Sequence, residues 1–362
     1  MMPVKETALF LKIADELRNE IRSGMRKPGE ILASERDLAR VFEVSRPSVR
    51  KALSLLEREG WVETKPGLGN FVKAYGTANN HRSSVVKSIA LVIPHFANPF
   101  FSELTQDIER VVRQMGHQVV LTATGYQWEE EVAYLRSIAH DRRVDGVLIW
   151  PVIETDSPPT YRVLEAANIP HVLVARDMET VEADMVFADG YAGMSRATEY
   201  LVGLGHRSIA YIHALPQLRV DLRLDGYEAT MQQQGLEVGP IILGNAFATD
   251  GGYEAALEAL QQTPRPTAIL AQNDAAAIGI LKAARQLHIR VPEELSVIGF
   301  DNISISQHLA PPLTTLDGST FMLAKLSLLL LMDRISGEAP ETKQVIKLMP
   351  KLVCRGSCTP PG

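Results

Sequence analysis

The sequence predicts an α/β protein in which a small helical domain with a β-hairpin precedes a larger, two-lobed domain of parallel sheets with flanking helices. Three observations lead to this fold class. The first 60 residues repeat apolar residues at helical spacing, residues 74–87 are polar without an apolar period, and from Ser88 onward short apolar runs alternate with helical patterns. We therefore expect a first domain at 1–75, a linker at 76–87 and a second domain at 88–362.

The composition limits the classes of protein that need to be considered. No run approaches the roughly 18 uninterrupted apolar residues of a membrane span, and acidic residues interrupt the apolar runs at the N-terminus, so no secretory leader is expected. The two cysteines, Cys354 and Cys358, have no histidine neighbours at zinc spacing and indicate no disulfide framework. The sequence thus predicts a cytoplasmic protein with no membrane partner, no metal and no cofactor.

Charge is distributed unevenly along the chain, whose formal net charge is -6. The first 87 residues contain 16 Lys and Arg against 11 Asp and Glu, whereas acidic residues predominate in the remainder. Such asymmetry indicates a polyanion-binding unit joined to a unit that does not bind polyanions.

Two amphipathic helices are predicted at the start of the chain. Apolar residues at four-residue steps from Leu9 to Ile21 form the stripe of a first helix, which ends at Gly24. A turn at Pro28-Gly29 then leads to a short second helix. Ser34 is its predicted N-cap, and Asp37, three residues on, approximates a capping box.

A third helix is predicted to begin after Ser45, because Pro47 is tolerated in a first turn whose N–H groups have no intrahelical partner. One arc of this helix is apolar and the opposite arc is basic. The apolar arc consists of Val49, Ala52, Leu53, Leu55 and Leu56. The basic arc consists of Arg46, Pro47, Arg50, Lys51 and Ser54.

The segment WVETKPGLGNFVK after the third helix is typical of two short strands around a turn, with Lys65 near the tip. Three helices and a hairpin make a winged helix-turn-helix, whose third helix enters the major groove of DNA. There Arg46 and Arg50, one turn apart, could each donate two hydrogen bonds to a guanine. Two arginines alone are more often a solvated helix face, but the flanking helices and the wing favour DNA binding.

The ordered series ASERDLARVFEVSRPSVRKALSLLEREGWVETKPGLGNFV resembles the winged-helix domain of GntR-type bacterial repressors, over about residues 7 to 74. The resemblance implies DNA contacts from the arginines of the second and third helices, with a serine and the wing glycine touching the DNA backbone or groove. The resemblance, the basic arc and the wing together give these predicted DNA-binding residues: Arg36, Arg46, Ser48, Arg50, Lys51, Lys65 and Gly67.

In the larger domain the apolar runs SIALVIP, HQVVLTAT, VDGVLIWP, IPHVLVAR, SIAYIHA, TAILAQND and LSVIGFDN alternate with helical patterns. This alternation favours parallel sheets with helical crossovers, in two successive lobes that start at Ser88 and Ser208. Ligands of such sheets bind beyond the carboxyl ends of the strands. Polar and aromatic residues stand at these positions: Asn98, Phe100, Phe101, Arg176, Asn273, Asp274 and Asp301.

A sugar needs such a set, because its hydroxyls require fixed donors and acceptors and its C–H faces pack on rings. Each residue alone has a plainer interpretation. Asp301 could cap a turn, Asn273 could cap a helix, and Phe100 could belong to the core. Their repetition at successive strand ends favours a ligand site.

The segments NPFF, RRVDGVLI, LGHRSIAYI, RLDGY, ND, VPEELSVIGFDN and PPLTT follow one another in this order. With them, the region from about 88 to 356 resembles the sugar-sensing domain of LacI-type repressors, which is similar to periplasmic ribose- and galactose-binding proteins. Ala175 and Gly318 depart from the family's aspartate and glutamine, which leaves the identity of the sugar open. The resemblance implies effector contacts from Asn98, Phe100, Phe101, Arg176, Arg223, Phe247, Asn273 and Asp301.

The two resemblances together predict a transcriptional regulator similar to arabinose-repressor-type regulators. A homodimer is expected to bind a near-palindromic double-stranded operator, and a sugar or sugar derivative in the interlobe cleft is expected to control it. Repression is expected by analogy, while the LacI-type hinge helix has no counterpart in 74–87. The alternatives are a cytoplasmic small-molecule-binding protein, a transport protein, and an enzyme with a regulatory DNA-binding N-terminus. No phosphate-binding loop or nucleophile elbow supports an enzyme.

Overall fold

The computed structural model describes residues 10, 13–14, 16–18, 20–21, 25–42, 44–58, 60–65, 69–73, 86–152, 159–176, 178, 182–213, 222–244 and 248–362. The chain forms two compact units, Met1–Val85 and Val86–Gly362. Leu9, Gly24, Gly67 and Phe247, together with residues 76–85 of the predicted linker, lie outside the described residues. None of the described helices is long and apolar enough to cross a membrane.

The helices of the N-terminal unit pack around a small apolar core. Helix α1 (Glu35–Val41) begins after Ser34, whose hydroxyl accepts the Asp37 N–H at 3.2 Å and donates to the Asp37 carboxylate at 2.6 Å. Helix α2 (Arg46–Arg58) buries the predicted apolar arc and exposes the basic one. The described residues of the preceding helical segment add Ile13, Leu17 and Ile21 to the core.

The predicted wing is an antiparallel hairpin of β1 (Val62–Lys65) and β2 (Gly69–Val72). Ile31, ahead of α1, forms an isolated bridge with Phe71, so the hairpin is joined to the helices as well as to itself. The prediction of three helices followed by a short hairpin is confirmed for the second and third helices and for both strands.

The N-terminal lobe of the second unit has a sheet whose neighbouring strands are all parallel. Its strands are β3 (Ser88–Ile93), β4 (Gln118–Ala123), β5 (Gly146–Ile149), β6 (His171–Val174), β7 (Met185–Ala188) and β13 (Val345–Leu348), in the order β13-β7-β6-β5-β3-β4. Its helices are α3 (Pro99–Gln114), α4 (Trp128–Asp141), α5 (Arg162–Ala166) and α10 (Thr320–Ser336). The central strands are apolar throughout because helices cover both faces of the sheet.

The C-terminal lobe has a second sheet that is parallel except for its last strand, which runs antiparallel to its neighbour. Its strands are β8 (Ile209–His213), β9 (Ile241–Leu243), β10 (Ala268–Ala271), β11 (Ser296–Phe300), β12 (Thr314–Asp317) and β14 (Lys351–Val353), in the order β14-β12-β11-β10-β8-β9. Its helices are α6 (Gly190–Leu204), α7 (Leu222–Gln233), α8 (Ala248–Leu260) and α9 (Asp274–Gln286), with a 3₁₀ turn at Ser304–His308.

The chain crosses between the lobes three times, so the expectation of two successive lobes is wrong. It leaves the N-terminal lobe after β7, returns after β12 to form α10 and β13, and leaves again to form β14. Two crossings touch, since a Cβ on Gly318 would lie 2.7 Å from the Cβ of Ala188. The sequence pattern did not reveal the crossings because a buried parallel strand is equally apolar in either sheet.

A buried ion pair holds the returning segment in the N-terminal lobe. Arg334 of α10 donates from Nε and Nη2 to the two carboxylate oxygens of Asp184, at 2.7 and 2.8 Å. The carboxylate is almost completely buried and also accepts the N–H of Gln344 at 2.8 Å. This contact joins the end of α10 to the residues that precede β7 and β13.

Replacing Arg334 is expected to destabilise the sensor domain strongly. In Arg334→Met the buried Asp184 carboxylate keeps the Gln344 N–H and the half-exposed Lys343, whose Nζ lies 3.8 Å away, but loses its bidentate partner. A carboxylate left in this position should lower the free energy of unfolding by about 3 kcal/mol or more, measured by urea denaturation. The matched control is Arg290→Met, because Arg290 pairs with Glu294 on the exposed surface. This control should leave the denaturation midpoint close to that of the wild type; an equal loss in both variants would contradict the role assigned to Arg334.

Candidate DNA-binding and effector sites

Helix α2 presents a basic, solvent-exposed face. Arg46, Arg50 and Lys51 are exposed on this helix, and Arg36 is exposed on α1. The rotation of α2 is determined by its apolar arc, which is buried against the unit's core and leaves the basic arc on the outside. A face of this charge is suited to the phosphate-lined major groove.

Glu35 of α1 organises this basic face and was missed by the sequence analysis. Arg50 donates from Nε and Nη2 to its two carboxylate oxygens at 2.9 and 2.8 Å, and Nη2 of Arg46 lies 3.8 Å from the same carboxylate. The hydrogen bonds from Arg50 lower the pKa of Glu35 below its ordinary value. Glu35 thus holds the Arg50 fork in the bidentate geometry that guanine recognition also uses.

The other predicted DNA-binding residues occupy different environments. Ser48 is buried, and its Oγ lies 2.9 Å from the Oγ of Ser45, so its hydroxyl belongs to the cap of α2. Lys65 is exposed on the wing, with Nζ 5.0 Å from the centre of the Phe71 ring. Among the described candidates, Ser48 is therefore the one whose side chain is not exposed.

The carboxyl edge of the N-terminal sheet carries a wall of aromatic rings. Phe101 lies edge-on to Phe100 and Trp150, with ring centroids 5.3 and 5.5 Å apart. Tyr126, after β4, lies 5.6 Å from Trp150 and 4.8 Å from His95. Phe100 and Phe101 were predicted as site residues, whereas Tyr126 was missed because it follows a glycine in a turn and belongs to no apolar run.

Arg176 stands two residues beyond β6 and is buried against this wall. Its guanidinium lies 4.2 Å from the centre of the Trp150 ring, and Nη1 donates to the carbonyl of Pro151 at 2.6 Å. Burial lowers the pKa of Arg176 to about 10. The side chain therefore remains positively charged at neutral pH.

Asn98 and Asn273 begin helices at the carboxyl edges of the two sheets. The Asn98 side chain accepts the Phe100 N–H at 3.0 Å, and the Asn273 side chain accepts the Ala276 N–H at 2.8 Å. The helix-cap interpretation is thus correct for Asn273 and also applies to Asn98. Since these carbonyl oxygens are occupied, the amide nitrogens are the groups that each could offer to a ligand.

Arg223 and Asp301 form the polar side of the C-terminal lobe. Nη1 of Arg223 donates to the carbonyl of Gln272 at 2.6 Å, and its guanidinium lies 4.0 Å from the centre of the Phe300 ring. Nη2 lies 3.7 Å from Oδ1 of Asp301, too far for a hydrogen bond. Burial raises the pKa of Asp301 to about 7, against the opposing effect of Arg223.

The two lobes approach each other across this cleft. Glu103 of α3 accepts both the N–H and the hydroxyl of Ser304, each at 2.7 Å, which links the lobes directly. The charges of Arg176 and Asp301 both act on Tyr126. The Glu103–Ser304 hydrogen bonds thus bring the carboxyl edges of the two sheets together, while Phe247 is outside the described residues.

Asp274 lies next to Asn273 in the sequence, but its hydrogen bonds join parts of the fold to one another. It is completely buried, its carboxylate accepts the Ile303 N–H at 3.0 Å, and it accepts the hydroxyl of Thr315. Burial raises its pKa well above the ordinary value. Asp274 therefore joins α9 to the segments around β12.

The described residues contain no group of three or more His, Cys, Asp and Glu side chains placed to hold a metal ion. His206, in the segment LGHRSIAYI, is buried, with hydrogen bonds to Thr267 and Ser296 and to the carbonyl of Thr359. Its three partners give it a structural role.

Family models and relatives match both units. Residues 9–72 match the bacterial regulatory proteins of the gntR family, and residues 198–358 match a periplasmic binding protein-like domain. The chain is 29% identical over 360 residues to the arabinose metabolism transcriptional repressor of Halalkalibacterium halodurans, covering 95% of each chain. It is 32% identical over 273 residues to the ribose operon repressor of Escherichia coli, covering 75% of this chain and 82% of the repressor.

Solved structures resemble the sensor unit. A LacI family transcriptional regulator from Enterococcus faecium with bound ribose is 27% identical to this chain, with a TM-score of 0.67. The match covers 76% of this chain and 100% of the regulator. The transcriptional regulator CelR in complex with cellobiose is 26% identical, with a TM-score of 0.68, and covers 86% of this chain and 90% of that chain.

Asp301 is expected to make the stability of the protein depend on pH. Its folded pKa of about 7 lies above the ordinary value of 3.8, so it favours folding most at low pH. This contribution is lost as the pH rises from about 4 to about 7 and stays lost above that range. The stability of wild type relative to Asp301→Asn should fall across this window by up to about 4 kcal/mol, measured by urea denaturation at each pH. A constant difference between pH 4 and 8 would contradict the titration.

Proposed function

The chain belongs to the LacI-type transcriptional regulators, with a gntR-family DNA-binding domain ahead of the sensor, and we propose that it binds its operator as a homodimer under the control of a sugar or sugar derivative. The effector proposal is supported by the aromatic wall and the Arg223–Asp301 pair, which lie at the carboxyl edges of the two sheets that Glu103 and Ser304 join. The relatives reported above are regulators, and none of their names describes an enzyme.

On the DNA side, we assign base contacts to Arg46 and Arg50 and backbone contacts to Lys51 and Lys65. Helix α2 enters the major groove, where each arginine meets a guanine. Arg36 on α1 approaches the same groove from the neighbouring helix. Arg50 must exchange its carboxylate partner Glu35 for the base, and this exchange is easy because an exposed ion pair contributes little stability.

On the sensor side, the sugar lies between the two sheets. Its C–H face packs on Trp150 and Phe101, and its hydroxyls bond to Asp301, Arg223 and the side-chain amide of Asn98. A ligand that contacts both lobes favours their closed arrangement, because only in that arrangement can it make all of these contacts at once. The change of lobe angle repositions the DNA-binding domains of the dimer and releases a near-palindromic operator in the cytoplasm, as in a repressor.

The DNA assignment predicts different effects for two variants of α2. The operator is first obtained by selecting bound duplexes from a random library. Arg50→Ala should weaken operator binding by about tenfold or more but weaken random-sequence binding less, because the lost contact reads a base. Lys51→Ala should weaken both to a similar extent, because it contacts phosphate. Fluorescence anisotropy of labelled duplexes measures both affinities; an equal loss on both duplexes in Arg50→Ala would make it a phosphate contact.

The effector assignment predicts loss of sugar response without loss of DNA binding. A panel of pentoses, hexoses and their derivatives is screened for release of the labelled operator. For any sugar that releases it, Asp301→Asn and Arg223→Ala should raise the half-maximal concentration by about tenfold or more, since each leaves a desolvated partner unmatched. Glu258→Gln, an exposed change on α8, is the control and should respond as the wild type does. Wild-type responses from both cleft variants would refute the assignment of the cleft.

A further inference from the structure

Arg176 is a buried cation whose hydrogen-bonding capacity is largely unused by the described residues. A guanidinium has five N–H donors, and the described contacts of Arg176 are one hydrogen bond to the Pro151 carbonyl and the face of Trp150. No described carboxylate lies within ion-pair distance of it. Burying a charge without a partner costs several kcal/mol, so such a group needs an explanation.

One described acidic residue, Glu131, lies near Arg176 but has hydrogen-bond partners of its own. Glu131, whose charge acts on Arg176, is completely buried and accepts hydrogen bonds from the Val152 N–H at 2.9 Å, the Thr124 hydroxyl at 3.1 Å and the Thr160 hydroxyl. These hydrogen bonds fix the Glu131 side chain against the residues that follow β5. It is a positioning residue for the segment beside Arg176, and it makes no ion pair with the guanidinium.

Across the cleft, the charge of Asp301 is already shared with Arg223. Among the described carboxylates near the two arginines, Asp301 lies within ion-pair distance of Arg223, and none lies within that distance of Arg176. The face of Trp150 that Arg176 contacts carries no formal negative charge. Burial lowers the pKa of Arg176 only to about 10, so it does not relieve the imbalance by losing its proton. Ala175, which precedes Arg176, and Gly318 contribute no polar side chain.

We infer that the effector is an anionic sugar, whose carboxylate or phosphate pairs with Arg176 while its ring and hydroxyls occupy the space between the aromatic wall and the Arg223–Asp301 pair. This inference rests on the proposed function. The planar guanidinium matches a carboxylate or phosphate with two parallel hydrogen bonds, and stacking on Trp150 fixes its plane. A sugar acid and a sugar phosphate share this chemistry.

The test compares neutral sugars with their matched anions by isothermal titration calorimetry on the full-length protein. The probes are glucose, glucuronate and glucose 6-phosphate, and galactose, galacturonate and galactose 6-phosphate, all of which keep the pyranose ring. An anion should bind about tenfold or more tightly than its neutral parent, and the preferred member of each series tells a carboxylate from a phosphate. Added salt should reduce the tighter binding of the anion only slightly, because salt screens a buried ion pair less than an ion pair on the surface.

Variants of Arg176 assign the preference to this residue. Arg176→Gln should abolish the difference between anion and parent, and Arg176→Lys should retain part of it because charge remains but the fork is lost. Arg136→Gln removes the same charge from the exposed surface of α4 in the same lobe and should retain the full preference. Operator binding without sugar verifies that each variant is folded.

Two other outcomes separate this inference from the proposed function. If a neutral sugar binds at least as tightly as its acid and its phosphate, and Arg176→Gln leaves that affinity unchanged, the anionic effector is refuted and a sugar-controlled regulator remains. If no neutral or anionic sugar binds or releases the operator, both the inference and the proposed control by a sugar are refuted.

Discussion

The three crossings between the two sheets are the constraint on which the sensor domain depends. Because they join the carboxyl side of one sheet to the other, the residues that follow the strands of both lobes face a common cleft. Ala188 and Gly318 bring two crossings so close together that a side chain at the second position would collide with the first.

Features that depend on short spacing were predictable from the sequence, and features that depend on distant contacts were not. The Ser34 cap and the apolar arc of α2 follow from spacing, and their prediction is confirmed. The bond between Glu35 and Arg50 was not predictable, because the turn between α1 and α2 decides which charges meet. The lobe membership of α10 and β13 was also hidden, since it depends on packing partners and not on local pattern.

If Arg50 reads a base as proposed, the position of Glu35 explains how this arginine is both ordered and available. A free arginine side chain loses rotamer freedom when it binds a base, and a bidentate carboxylate removes part of that freedom beforehand. The O6 and N7 atoms of guanine present two acceptors to the same fork, so the exchange preserves its hydrogen-bond count. Because Arg50 is exposed, water compensates the separated charges and keeps the exchange inexpensive.

The two cleft arginines show how one residue type acquires different roles from its partners. Arg223 has a carbonyl and the Asp301 carboxyl group within its own lobe, so part of its charge is balanced before a ligand arrives. The described partners of Arg176 are the Pro151 carbonyl and the Trp150 ring. If the lobes closed over a ligand without an anionic group, the remaining N–H donors of Arg176 would lose water and gain no other acceptor. A ligand without an anionic group therefore opposes closure of the two lobes, although its other contacts favour that closure. Such a penalty discriminates more strongly than an added attraction, because a desolvated, unpaired charge costs more than a neutral contact contributes.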